Sequence, residues 1–125
     1  MSIEINTQNP MPIYEQLRNQ IVLGIASGKL APGTSLPPVR KLAADQGVNF
    51  HTVNKAYASL CDEGFIIMDR RKGAVVADIP SGVKGLPPEM IDKLNLISAE
   101  AICKGMDYMY FVNLCMQSYR FAKGE

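Results

Sequence analysis

The sequence is poor in the residues that catalysis and metal binding draw on. It has one histidine, His51, and three cysteines, Cys61, Cys103 and Cys115, none of them in a CxxC pair. A zinc site would lack ligands, and an odd set of widely spaced thiols does not read as a disulfide framework. The cysteines are expected to act as small apolar side chains in a reducing compartment, with redox sensing by one of them the competing reading. There is no phosphate-cradling glycine loop, no GxSxG and no acid–base pair at a recognisable spacing, so the sequence nominates no enzyme, metal or cofactor. No apolar run approaches the ~18 residues of a membrane helix, and no secretory pattern opens the chain, so a soluble cytoplasmic protein is expected.

Excess charge is missing as well. The 13 Lys+Arg face 12 Asp+Glu for a net charge of +1, and residues 1–80 carry 8 basic against 7 acidic side chains. A protein that holds nucleic acid through bulk charge is usually more basic. Any cationic contact must come from a cluster, and the one dense cluster is Arg70-Arg71-Lys72. What is present is a globular composition: 125 residues, 47% hydrophobic and 20% charged. That suits one ordinary domain with a short appended element, and it is too short for a TIM barrel or a full doubly wound enzyme.

Along the chain, Ile13, Leu17, Ile21 and Ile25 recur at four-residue spacing after Pro10-Met11-Pro12 and stop at Ser27-Gly28. This predicts a first helix. Pro32-Gly33 is a turn, and Thr34-Ser35-Leu36 can make only a very short strand. Pro37-Pro38 opens a second helix with Val39, Leu42 and Ala43 inward, Arg40, Lys41 and Asp45 outward, and Gly47 at its end. Asn49 stands where an N-cap belongs, and a third helix should run over 50–62 with Val53, Ala56, Tyr57 and Leu60 inward. Two apolar runs, 65–68 and 74–77, around a five-residue charged loop at 69–73 then read as a hairpin.

After a linker at 80–86, two amphipathic helices are expected. The first carries Met90, Leu94, Ile97 and Ala101 on its apolar side, and the second, capped by Asp107, carries Tyr108, Phe111, Val112, Cys115 and Tyr119. Two helices cannot close a core of their own. These nine residues are therefore expected to form a dimer interface, with packing on the first helix or a ligand pocket as alternatives.

The short second helix, the turn at Gly47 and a third helix with a polar start make a helix-turn-helix, and the hairpin behind it would be its wing. At the exposed start of the third helix, Asn49, His51, Thr52 and Asn54 offer donors and acceptors to base edges or phosphates. Arg40 can reach a guanine edge or a phosphate, and Lys55 the DNA backbone. Arg70, Arg71 and Lys72, with Gly73 behind them, can reach phosphates or a narrow minor groove. Arg40 could instead pair with Asp45, and Phe50 could pack on its neighbours.

The stretch 28–76 resembles the DNA-binding domain of the GntR family of bacterial transcription regulators. The matching pieces are Pro12-Ile13-Tyr14-Glu15-Gln16-Leu17, Gly28-Lys29-Leu30-Ala31-Pro32-Gly33, Leu36-Pro37-Pro38-Val39-Arg40-Lys41-Leu42-Ala43, Thr52-Val53-Asn54-Lys55-Ala56-Tyr57 and Glu63-Gly64-Phe65-Ile66. The two-helix tail resembles the YtrA-type subgroup, in which it serves as a dimerisation arm and the gene often lies beside an ABC-transporter operon. The resemblance implies a mainly α (α+β) winged helix-turn-helix domain over 1–79 and a two-helix C-terminal dimerisation arm over 87–125. It places DNA contacts at Arg40, at Asn49, Phe50, His51 and Thr52, and at the wing tip. Pro38 stands where the family has serine, Phe50 where it has arginine or proline, and Arg71-Lys72-Gly73 where it has Gly-x-Gly, so a different operator sequence is implied. The expected function is a transcriptional repressor that binds an inverted-repeat operator in double-stranded DNA as a homodimer. Any small-molecule effector would lie between the subunits. The competing reading is a winged-helix protein-interaction module without operator binding.

Overall fold

The computed structural model describes residues 2–125, which separate into two compact units, one ending at Ile79 and one running from Pro80 to Glu125. The first holds α1 (Ile13–Ala26), α2 (Val39–Gln46), α3 (Phe50–Asp62), β1 (Ile66–Asp69) and β2 (Gly73–Val76). The second holds α4 (Pro88–Cys103) and α5 (Tyr108–Ala122).

The core of the first unit is what the spacing implies. Leu17, Ile21 and Ile25 line one stripe of α1, and they pack with Leu42 and Ala43 of α2, with Val53, Ala56, Tyr57 and Leu60 of α3, and with Ile66, Ala74 and Val76 of the hairpin. Burying each of the larger side chains stabilises the fold by about 1.5–3 kcal/mol relative to leaving it exposed. Gly24 lies inside α1 because a Cβ there would stand 2.9 Å from the Leu30 side chain. Close approach, not turn geometry, explains this glycine.

Residues 3–6 add a feature that periodicity does not announce. Gln16 is buried, accepts from the Asn6 N–H and donates to the carbonyls of Asn6 and Met11. Gln20 likewise accepts from the Glu4 N–H and donates to the Glu4 carbonyl. Two glutamines one turn apart thus satisfy backbone groups of a segment outside the named helices and strands, and Ile3 is buried in the core.

β1 and β2 pair antiparallel, with Ile66 opposite Val76 and Asp69 opposite Gly73. The expected loop at 69–73 is therefore too long: Asp69 and Gly73 belong to the ladder, and only Arg70, Arg71 and Lys72 form the loop. The reason is local. The Asp69 carboxylate accepts from the N–H groups of Arg71 at 2.7 Å and Lys72 at 3.0 Å, and Gly73 takes φ +74°, closing a three-residue hairpin. On the other side of β2, Leu36 N–H donates to Ala74 and Val76 N–H to Thr34, with Ser35 bridged to Val75. The very short strand expected there is present as that single bridge.

In the second unit, α4 ends at Lys104-Gly105 and Asp107 caps α5 by accepting from the Tyr110 N–H at 3.1 Å. Neither helix has a buried residue. Of the nine expected interface residues, Ala101, Phe111 and Val112 are partly covered, while Tyr108 is 77% and Tyr119 70% exposed. Among the described residues no helix is long and apolar enough to cross a membrane.

Candidate nucleic-acid interface

The turn between α2 and α3 is set by backbone hydrogen bonds that only a left-handed residue permits. Gly47 has φ 66°, its N–H donates to Ala44, and the Val48 N–H donates to Ala43 at 3.0 Å. This closes α2 and turns the chain within three residues. Asn49 then caps α3, its side-chain oxygen accepting from the His51 N–H at 2.8 Å. The cap uses only the oxygen, so the amide's two N–H donors remain for a partner outside the protein. Capping and recognition are compatible at this residue.

Arg40 is exposed on α2, and the expected alternative partner does not hold it: Asp45 pairs with Lys41 at 3.0 Å. The Arg40 guanidinium carbon instead lies 4.5 Å from the centroid of the Phe50 ring. Phe50 is half-buried against the core, with its centroid 4.1 Å from that of His51 and the two rings tilted by 34°. Phe50 thus packs on its neighbours in the free chain. His51 and Asn54 are exposed and Thr52 is half-buried.

Lys55 lies with its ammonium 4.1 Å from the Tyr14 ring centroid. Pro12, Ile13 and Tyr14 at the start of α1 line an open depression with His51, Thr52 and Lys55. Sequence reasoning placed Tyr14 in a motif but gave it no role beside Lys55. The start of α1 and the start of α3 meet here, and only tertiary packing brings them together.

The wing cations are all exposed. The Asp69 carboxyl is held below its ordinary range first by the Lys72 N–H, then by the Arg71 N–H, with burial opposing them and the Lys72 charge adding to them. The carboxylate that shapes the loop is therefore ionised at neutral pH, and it orders the backbone beneath Arg70, Arg71 and Lys72. Among the described residues no hydrogen bond, ion pair or ring contact joins these three side chains to the start of α3. No group of three or more His, Cys, Asp and Glu is placed to hold a metal among the described residues. Cys61 is half-buried, and burial pushes its thiol pKa up, with Asp62 adding to the effect; Cys103 and Cys115 are exposed and unpaired.

Compared with known proteins, residues 12–76 match the family model described as bacterial regulatory proteins, gntR family. The HTH-type transcriptional repressor YtrA of Bacillus subtilis is 38% identical over 76 residues, which are 61% of this chain and 58% of that protein. The chain spans between 31% and 62% of the length of the first curated relatives it matches. Among solved structures, a transcriptional antiterminator from Listeria monocytogenes superposes with a TM-score of 0.87 at 28% identity, over 100% of this chain and 95% of that one. AraR(DBD) in complex with operator ORX1 superposes with a TM-score of 0.55 at 29% identity, over 62% of this chain and 99% of that one. A winged helix-turn-helix matched over its full motif order makes this chain a member of the GntR family of bacterial regulatory proteins, similar to its YtrA-type members.

Proposed function

We propose that this protein is a sequence-specific transcriptional repressor, working in the cytoplasm, that binds an inverted-repeat operator as a homodimer. The carrying observation is the exposed Arg40, free of any acidic partner among the described residues, beside the capped polar start of α3. Each protomer would place α3 in a major groove and the wing tip against the flanking minor groove. Arg40 with Asn49, His51, Thr52 and Asn54 carries specificity; Lys55, Arg70, Arg71 and Lys72, with Gly73 shaping the loop, carry affinity. Residues 1–79 form the DNA-binding domain and 87–125 the dimerisation arm. That reading of the arm is supported by two helices with apolar side chains exposed and none buried. A regulated ABC-transporter operon belongs to this reading through the resemblance to the YtrA-type subgroup alone.

The test is selection from random double-stranded DNA, followed by titration of the winning site at several salt concentrations. An enriched inverted repeat is expected. Arg40→Ala should lose about 1–3 kcal/mol and relax one base position. Arg70→Ala and Lys72→Ala should weaken all sequences alike and flatten the salt slope by about 1 each. Failure to enrich any sequence would favour the protein-interaction module instead. Any effector would lie between the two subunits and act through the spacing of the recognition helices. Saturating ligands that never change operator affinity would remove that route.

A further inference from the structure

The contact between Arg40 and Phe50 links two residues that the sequence keeps ten positions apart, on different helices of the motif. We propose that Phe50 is a positioning residue. Its ring holds the Arg40 guanidinium in one direction, so that Phe50 contributes to operator choice through Arg40 and not through a contact of its own. The inference rests on the proposed DNA contact of Arg40.

Three observations carry it. First, the Arg40 side chain has no hydrogen bond or ion pair among the described residues, and Asp45 is engaged by Lys41. Among the described residues the ring is the one partner of its guanidinium, 4.5 Å away. A guanidinium attracted to a ring uses its face, and its five N–H donors stay available for a guanine edge or a phosphate. Second, the platform is itself held: Phe50 packs on the core and against the His51 ring at 4.1 Å. Third, the ring is half-buried, with the cation over it, the histidine ring beside it and core residues behind it. The contact spans the turn, from the first turn of α2 to the first residue of α3. Arginine direction and recognition-helix start are thereby set together.

The experiment uses the full chain and a duplex recovered from a random pool by the wild-type protein. Operator affinity is measured for wild type, Arg40→Ala, Phe50→Leu, Phe50→Tyr and the Arg40→Ala/Phe50→Leu double variant, with melting curves to confirm folding. Phe50→Leu should weaken binding roughly two- to fivefold, while Phe50→Tyr, which keeps the ring, should match wild type. In the Arg40→Ala background, Phe50→Leu should add no further loss. Equal losses from Phe50→Leu with and without Arg40 would overturn the proposal and leave the Arg40 contact standing. An Arg40→Ala variant that binds as wild type does would overturn both. Independently of any variant, the Arg40 side-chain protons of the free protein should show an upfield ring-current shift by NMR. Its absence would overturn the proposal outright.

Discussion

Tyr57 shows how one residue serves core and motif together. It lies in the buried face of α3, and its hydroxyl donates to the Pro37 carbonyl at 2.7 Å, where the chain enters α2. Burial pushes its pKa from 10.0 up to about 12. Because the folded value is the higher one, the stabilisation is fully present below pH 10 and is lost as pH rises from there towards about 12. Tyr57→Phe removes the bond and leaves a carbonyl unpaired, so it should cost about 1 kcal/mol at neutral pH. For a unit of this size, that lowers Tm by roughly 4–8 °C. Chemical denaturation at pH 7 and pH 11 checks both parts: the variant should lose less stability than wild type over that span. Equal losses would show that Tyr57 does not carry the alkaline limb.

At the scale of elements, punctuation made α2 and α3 legible. Pro38, Gly47, Asn49 and Gly64 each force a local backbone choice, and the helix bounds follow from them. The hairpin was less legible because Asp69 and Gly73 have loop chemistry yet belong to the ladder. Their role depends on a side chain that caps its own turn, which composition does not reveal. The glutamine clamps on residues 3–6 and the ring beneath Arg40 were hidden for another reason: both join residues far apart in sequence, and periodicity records only neighbours. The wing supplies its own test. The folded Asp69 carboxyl titrates below its ordinary 3.8, so its contribution is present above pH 3.8 and is lost as pH falls through the lower folded value. The amide signals of Arg71 and Lys72 should move together with a midpoint under 3.8. A midpoint at or above that value would mean the carboxylate does not shape the loop.

For the whole molecule, the contrast is between a unit with a closed core and one without. The first unit buries a continuous cluster from Ile3 to Val76, whereas α4 and α5 bury no residue. If a second copy covers those helices, their melting temperature should rise with chain concentration, since a partner that binds only the folded form stabilises it by mass action. Leu94→Glu should abolish that dependence in melts followed across a hundredfold dilution series. A melting temperature indifferent to concentration would argue against the homodimer. On the dimer reading, the exposed apolar surface of α4 and α5 has a further consequence for turnover. A lone copy presents that aromatic face to proteases and chaperones, while a paired copy conceals it. Assembly would then decide which copies persist, and their steady-state number would reflect pairing as well as synthesis.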